Sequence, residues 1–193
     1  MPTTPQRSAR RLTYEDFVRI PDDGKRHEII DGVHYVTASP NLRHQEVVGR
    51  LYGEIYLHLK AHPAAGRVFI SPLDVVLSRY DVVEPDVLLV AADQADVLTE
   101  KNLQGPPSLA VEVLSPSTRK RDARLKRDLF ERTGVREYWI VDPELDTVQV
   151  FRPGDGGKYR RIAELTAEDD HELTTPLLPG WALRMRDLFR DGP

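Results

Sequence analysis

Three carboxylate-centred pieces follow one another along the chain: Pro85-Asp86, then Glu112-Val113-Leu114-Ser115-Pro116, then Asp122 and Lys126 one helical turn apart. Asp86 opens the apolar run Val87-Leu88-Leu89-Val90, and Glu112 sits inside a second run from Leu109 to Leu114. Charges are costly in such places unless they are paired or ligate a metal. Two carboxylates followed by a lysine are what a divalent-metal phosphodiesterase needs. The hard oxygens hold Mg²⁺, and the ammonium supports the attacking water or the phosphate charge. Without a metal the two carboxylates are expected to repel. Taken alone, the Asp122–Lys126 spacing fits equally an i, i+4 surface ion pair, worth about 0.3–0.5 kcal/mol.

Two upstream residues are candidates to complete the site. Glu28 precedes the apolar pair Ile29-Ile30, and His44 begins a stripe at 44, 48, 51 and 55 with Val48, Leu51 and Ile55. Spacing leaves both open. A histidine there also serves as a cap or packing residue, and a glutamate there as the exposed member of an alternating strand. Downstream, Arg119, Lys120, Arg121, Arg124, Lys126 and Arg127 crowd into a short stretch with one acid, Asp122. Beside a metal-site candidate such a cluster reads as a phosphate contact; by itself it reads as a solvated helix face.

The elements that must position these residues can be read coarsely. Thr13 and Asp16 form a capping-box pattern before a short helix carrying Phe17, Val18 and Ile20. Residues 27–37 read as two strands around the turn Asp31-Gly32. The longest helix is expected over Leu42 to Ala61, ended by His62-Pro63. Strands follow at 67–71 and 73–78, then a turn near Tyr80-Asp81 into the Asp86 strand. A loop or short helix covers 93–107. The Glu112 strand is apolar on both faces, as a central strand should be. The short Ser115-Pro116-Ser117 connection leads into a helix over 118–133, with Ser117 as N-cap and Gly134 as C-cap. It would bring that helix back beside Glu112. Strands at 137–142, 147–152 and 158–165 complete an α/β sheet between helices, and the tail after Asp169 reads as irregular.

Composition narrows the class. The chain has 193 residues, 40% hydrophobic and 30% charged, which suits one soluble domain over 12–193 behind a disordered tail over 1–11. With no cysteine, disulfide scaffolds, thiolate zinc sites and cysteine nucleophiles are excluded. No apolar run is long enough to span a bilayer, and the basic start is no signal peptide, so a cytoplasmic location is expected. A net charge of −4 does not by itself announce a nucleic-acid binder.

The sequence resembles the Uma-two family of restriction-endonuclease-like proteins, a branch of the PD-(D/E)xK nuclease superfamily. The resemblance runs from Leu12-Thr13-Tyr14-Glu15-Asp16-Phe17 to Leu178-Pro179-Gly180. It is carried by Arg26-His27-Glu28-Ile29-Ile30-Asp31-Gly32, His44-Gln45-Glu46-Val47-Val48, Pro85-Asp86, Glu112 to Thr118, Asp122 to Lys126, and Gly134 to Pro143. It implies a mixed central sheet flanked by helices, with Mg²⁺ (or Mn²⁺) held by Asp86, Glu112 and the Val113 carbonyl. It also places Glu28 and His44 at the site. The superfamily lysine is expected two residues after the glutamate, where this chain has Leu114; the resemblance moves that role to Lys126. The expectation is a metal-dependent endonuclease acting on DNA, with Asp86, Glu112, Lys126, Glu28 and His44 catalytic. Arg119, Lys120, Arg121 and Arg124 would lie on DNA, with Asp122 and Ser115 supporting, and a homodimer would make both cuts of a duplex. One rival is a catalytically silent DNA-binding or interaction protein that keeps the fold. Another is a glycosidase-like carboxylate pair, poorly served by Trp139 and Trp181 as the sole tryptophans.

Overall fold

The computed structural model describes residues 10–37, 39–115, 119, 121–190 and 192, with 121 and 122 described as backbone alone. Most of the expected tail, residues 1–9, lies outside the described residues. Arg10 pairs with Asp16, and Arg11 donates to the Asp31 carbonyl.

Helix α1 (Tyr14–Phe17) opens on the expected capping box between Thr13 and Asp16. Strands β1 (Arg26–Ile30) and β2 (Val33–Thr37) form a hairpin. Its turn needs left-handed backbone at Asp31 (φ 53°) and Gly32 (φ 77°), which these two residue types tolerate. Helix α2 (Leu42–Ala61) starts where Asn41 caps the His44 N–H, and it buries His44, Val48, Leu51 and Ile55 as the spacing predicts. Strands β3 (Gly66–Ile70), β4 (Val75–Ser78), β5 (Asp81–Val83) and β6 (Val87–Ala91) follow. The sequence suggested only a turn where β5 forms. After a short 3₁₀ segment come β7 (Leu103–Gln104) and β8 (Leu109–Val113). A π-helical turn over Arg121–Lys126 runs into α3 (Arg127–Thr133), which ends at Gly134 in the left-handed region (φ 87°). The expected N-cap Ser117 lies outside the described residues. Strands β9 (Glu137–Asp142), β10 (Thr147–Pro153) and β11 (Tyr159–Thr166) complete an antiparallel meander.

The tail after Asp169 is not irregular. It forms the hairpin β12 (Glu172–Thr174) and β13 (Ala182–Arg184) and the helix α4 (Met185–Phe189). Tertiary contacts hold it. Trp181 stacks on Trp139 at 5.9 Å, and Arg50 of α2 donates to the Leu188 carbonyl at 3.2 Å. Such short elements carry little periodicity of their own, so the sequence gives them no local signal.

The central sheet has six strands in the order β11-β10-β9-β8-β6-β3, mixed because β8 and β9 are parallel while the other pairs are antiparallel. Alternate residues of β6, β8 and β9 divide between two cores. Val87, Leu89, Val111, Val113, Trp139 and Val141 pack with α2, α4 and the C-terminal hairpin. On the other face, Leu88, Ala110, Tyr138 and Ile140 pack with α3. That second face is also covered by a five-stranded sheet, β2-β1-β5-β4-β7, through Ile30, Val83, Val75 and Leu103. The expected mixed sheet flanked by helices is present, and the second sheet is an addition that local sequence pattern did not reveal. Among the described residues no helix is long and apolar enough to cross a membrane.

Candidate metal and nuclease site

Strand pairing brings the two carboxylates together. Antiparallel β6 and β8 meet with Val87 opposite Val111, so Asp86 and Glu112 stand one step further along the same ladder. The strands are tied at this end by the Val113 N–H, which donates to Asp86 Oδ2 at 2.8 Å. From β1, Arg26 donates to Asp86 Oδ1 at 2.7 Å. From the first turn of α2, His44 Nε2 comes within 3.3 Å of Asp86 Oδ2. Burial pushes the Asp86 carboxyl up. The His44 hydrogen bond and the Arg26 charge more than reverse this and hold it well below the usual carboxylate range.

A second chain of charges lies beside the first. Lys126 Nζ sits 2.7 Å from Glu112 Oε1 and 2.7 Å from Glu28 Oε1, all three side chains being at most 1% exposed. Glu28 Oε1 also accepts the Glu84 N–H at 3.1 Å. Three buried charges persist only when their partners are close and well aimed. Arg26 and Lys126 screen the expected repulsion between Asp86 and Glu112, with Lys126 shared by Glu112 and Glu28. Lys126 is also no surface residue. It closes the π-helical turn, an irregularity common at functional sites, and points into the core. Nothing is described of the Asp122 side chain, its expected i, i+4 partner.

The structure thus gathers Glu28, His44, Asp86, Glu112 and Lys126, and adds two residues that sequence reasoning did not assign. Arg26 enters the sequence reading only within the motif Arg26 to Gly32. Glu84 was not singled out, although it stands two residues before Asp86 beside Pro85. The signal for Glu84 was available: a third carboxylate next to the apolar pair Val82-Val83. Glu84 is 7% exposed. Burial first, and then the Asp74 and Glu28 charges, push its carboxyl up to about 7, against the lowering effect of Arg26 and Lys126. It lines a cavity of about 460 Å³ together with Lys25, Arg26, His44, Ser71 and Asp86.

The donor set suits a hard divalent cation, being carboxylate oxygens beside a polar cavity, and Glu84 Oε2 lacks a hydrogen-bond partner among the described residues. Among those residues no three His, Asp or Glu side chains already stand as a cage for an ion. Elsewhere, Arg119 pairs with Asp142 and with Glu144 (2.7 Å), Arg124 is exposed and Ser115 half-buried. Lys120 and the Arg121 side chain lie outside the described residues.

A search of curated proteins finds no match. The solved structures similar to this chain include a putative nuclease belonging to DUF820 from Anabaena variabilis ATCC 29413. The TM-score is 0.77 at 20% identity, with 92% of this chain and 97% of that chain covered. At that identity the likeness shows the fold. The sequence family described as "Uma2: Putative restriction endonuclease" matches residues 14–186. A match over nearly the whole chain, on a nuclease-like fold that brings its acids together, leads to one conclusion: this chain belongs to the Uma2 family.

Proposed function

We propose that the protein is a divalent-metal-dependent endonuclease that hydrolyses phosphodiester bonds in DNA. The observation that carries this reading is the convergence of Glu28, His44, Asp86, Glu112 and Lys126 at one end of β6 and β8. Asp86 and Glu112, with the Val113 carbonyl, would hold Mg²⁺, or Mn²⁺ in its place. When bound, such an ion supplies positive charge at the scissile phosphate and lowers the pKa of a bound water. Lys126 Nζ is fixed between Glu112 and Glu28, so its position is set before substrate arrives. There it orients the attacking water or meets the charge that builds on the phosphate. Arg26 fixes Asp86 Oδ1 and orients that carboxylate. His44 holds Asp86 through Nε2, and its Nδ1 has no partner among the described residues. That nitrogen is the atom through which the ring would take up or pass on a proton, or meet a phosphate oxygen.

The basic segment Arg119, Lys120, Arg121 and Arg124 would track the nucleic-acid backbone. Exposed Arg124 contributes charge freely, while Arg119 shares its charge with Asp142 and Glu144. Two cuts of a duplex suit a homodimer with two-fold symmetry, acting in the cytoplasm.

One observation favours a second reading, a silent DNA-binding protein. Arg26 pairs with Asp86, and Lys126 with Glu112 and Glu28, an arrangement that a purely structural ion network would also show. Incubation with supercoiled plasmid and with RNA, in Mg²⁺, Mn²⁺ or excess chelator, separates the two. Metal-dependent nicking or linearisation of the plasmid supports the endonuclease. DNA binding with no cleavage under any metal condition supports the silent protein.

A further inference from the structure

Glu84 is held unlike any other acid near the site. Its backbone is fixed from both sides by site residues: the N–H donates to Glu28 Oε1 at 3.1 Å, and the carbonyl accepts from Arg26 at 3.3 Å. Its side chain is buried with the main chain, yet Oε2 has no partner among the described residues. A buried carboxylate oxygen left bare costs about 1–3 kcal/mol or more, so it persists where something else completes it. Glu84 also lies at the meeting of two cavities. One, of about 460 Å³, it shares with Asp86 and His44; the other, of about 310 Å³, it shares with Lys25, His27 and Asp74. A second bare atom borders the larger cavity, His44 Nδ1, which is likewise buried. The bare Glu84 oxygen beside the cavity that Asp86 lines calls for a donor on that side.

We infer that Glu84 is a positioning residue for the divalent cation of Asp86, accepting hydrogen bonds from the cation's water ligands on the cavity side. The inference rests on the metal-dependent reading above. A Mg²⁺-type ion retains most of its waters, and those waters are strong donors. Carboxylates that receive such bonds fix the waters in place, and losing one typically costs about 10–100-fold in metal affinity. Glu84 needs no direct bond to the ion for this role.

The test is calorimetric titration of the whole protein with Mn²⁺ alone, comparing wild type with Glu84→Gln and Glu84→Ala, and following thermal unfolding of each with and without the metal. The expected result is one Mn²⁺ site in all three, with the dissociation constant raised about 10–100-fold in both variants. The rise in melting temperature on adding metal would shrink in step. Should one variant fail to fold, the other carries the same expectation. A folded variant that binds Mn²⁺ as tightly as wild type overturns the role of Glu84 while leaving the metal site standing. Wild type that binds no Mn²⁺ overturns the metal-dependent reading itself, and this inference with it.

Discussion

Glu112 and Glu137 are both buried carboxylates on the neighbouring parallel strands β8 and β9, yet they occupy opposite faces of the central sheet and opposite ends of the shared ladder. Glu137, on the Trp139 face, is saturated. Oε1 accepts from Trp139 Nε1 at 2.6 Å and from Arg152 at 3.2 Å; Oε2 accepts from Arg152 at 2.7 Å and from Thr175 at 3.0 Å. Those four bonds stitch β9, β10 and the C-terminal segment together and leave the carboxylate nothing to offer a ligand. Glu112, on the face covered by the second sheet, pairs with Lys126; its cross-strand neighbour Asp86 pairs with Arg26 and lines a cavity with His44 and Glu84, each of which carries a polar atom without a partner among the described residues. Burial of a charge is thus no mark of chemistry. Incomplete satisfaction beside a cavity is the better sign.

The comparison breaks most visibly on exchanging each acid for its amide. Glu112→Gln should reduce metal-dependent DNA cleavage by about 10³-fold, while Lys126 keeps Glu28 as a partner and the melting temperature moves little. Glu137→Gln should do the reverse: about 3 kcal/mol of stability lost in urea unfolding, because Arg152 loses its counter-charge, with cleavage by the folded fraction unchanged. Had both variants lost only stability, the two carboxylates would belong to one structural class.

A third buried acid sharpens the same distinction. Asp81 accepts from Arg132 (2.8 and 3.1 Å), from the Asp31 N–H (2.8 Å) and from Ser78 Oγ (2.6 Å). Burial pushes its carboxyl up, and these partners, Arg132 foremost, outweigh burial and hold it below the usual value. A pKa depressed by folding means that the stabilisation is present above the unfolded value of about 3.9 and is lost as pH falls through the lower native value. Asp81→Asn should therefore cost about 2 kcal/mol at neutral pH. That penalty should shrink below about pH 4 in unfolding curves taken across a pH series. A penalty independent of pH would mean that packing, not charge, makes Asp81 structural. The smallest effect is expected at the surface. Arg124→Ala should weaken DNA binding modestly and lower the salt slope by about 1, with the cleavage rate at saturating DNA unchanged.

Much of this was legible in the sequence, and the gaps have physical causes. Helix α2, the capping box at Thr13, the Asp31-Gly32 hairpin and the Gly134 stop are local signals, and each forms where its residues call for it. The second sheet and the C-terminal hairpin are not local. Strand β5 has three residues; the stacking of Trp181 on Trp139 holds the start of β13, and Arg50 holds α4 behind it. The family motifs named five site residues that the fold does bring together. They did not show that Lys126 would be buried between two glutamates, since i, i+4 spacing from Asp122 looks the same on a surface helix. Glu84 carries a sequence signal beside Val82-Val83, but only the fold shows that its backbone is pinned by Glu28 and Arg26 and its side chain buried beside Asp86.

Crystals soaked in Mn²⁺ and measured for anomalous scattering test the central claim most directly, because they need no substrate. The account predicts an anomalous peak between the carboxylates of Asp86 and Glu112, on the side of the cavity shared with Glu84 and His44, and none at Glu137. A map with no peak at Asp86 and Glu112 at saturating Mn²⁺, or with its peak at Glu137 instead, would contradict it.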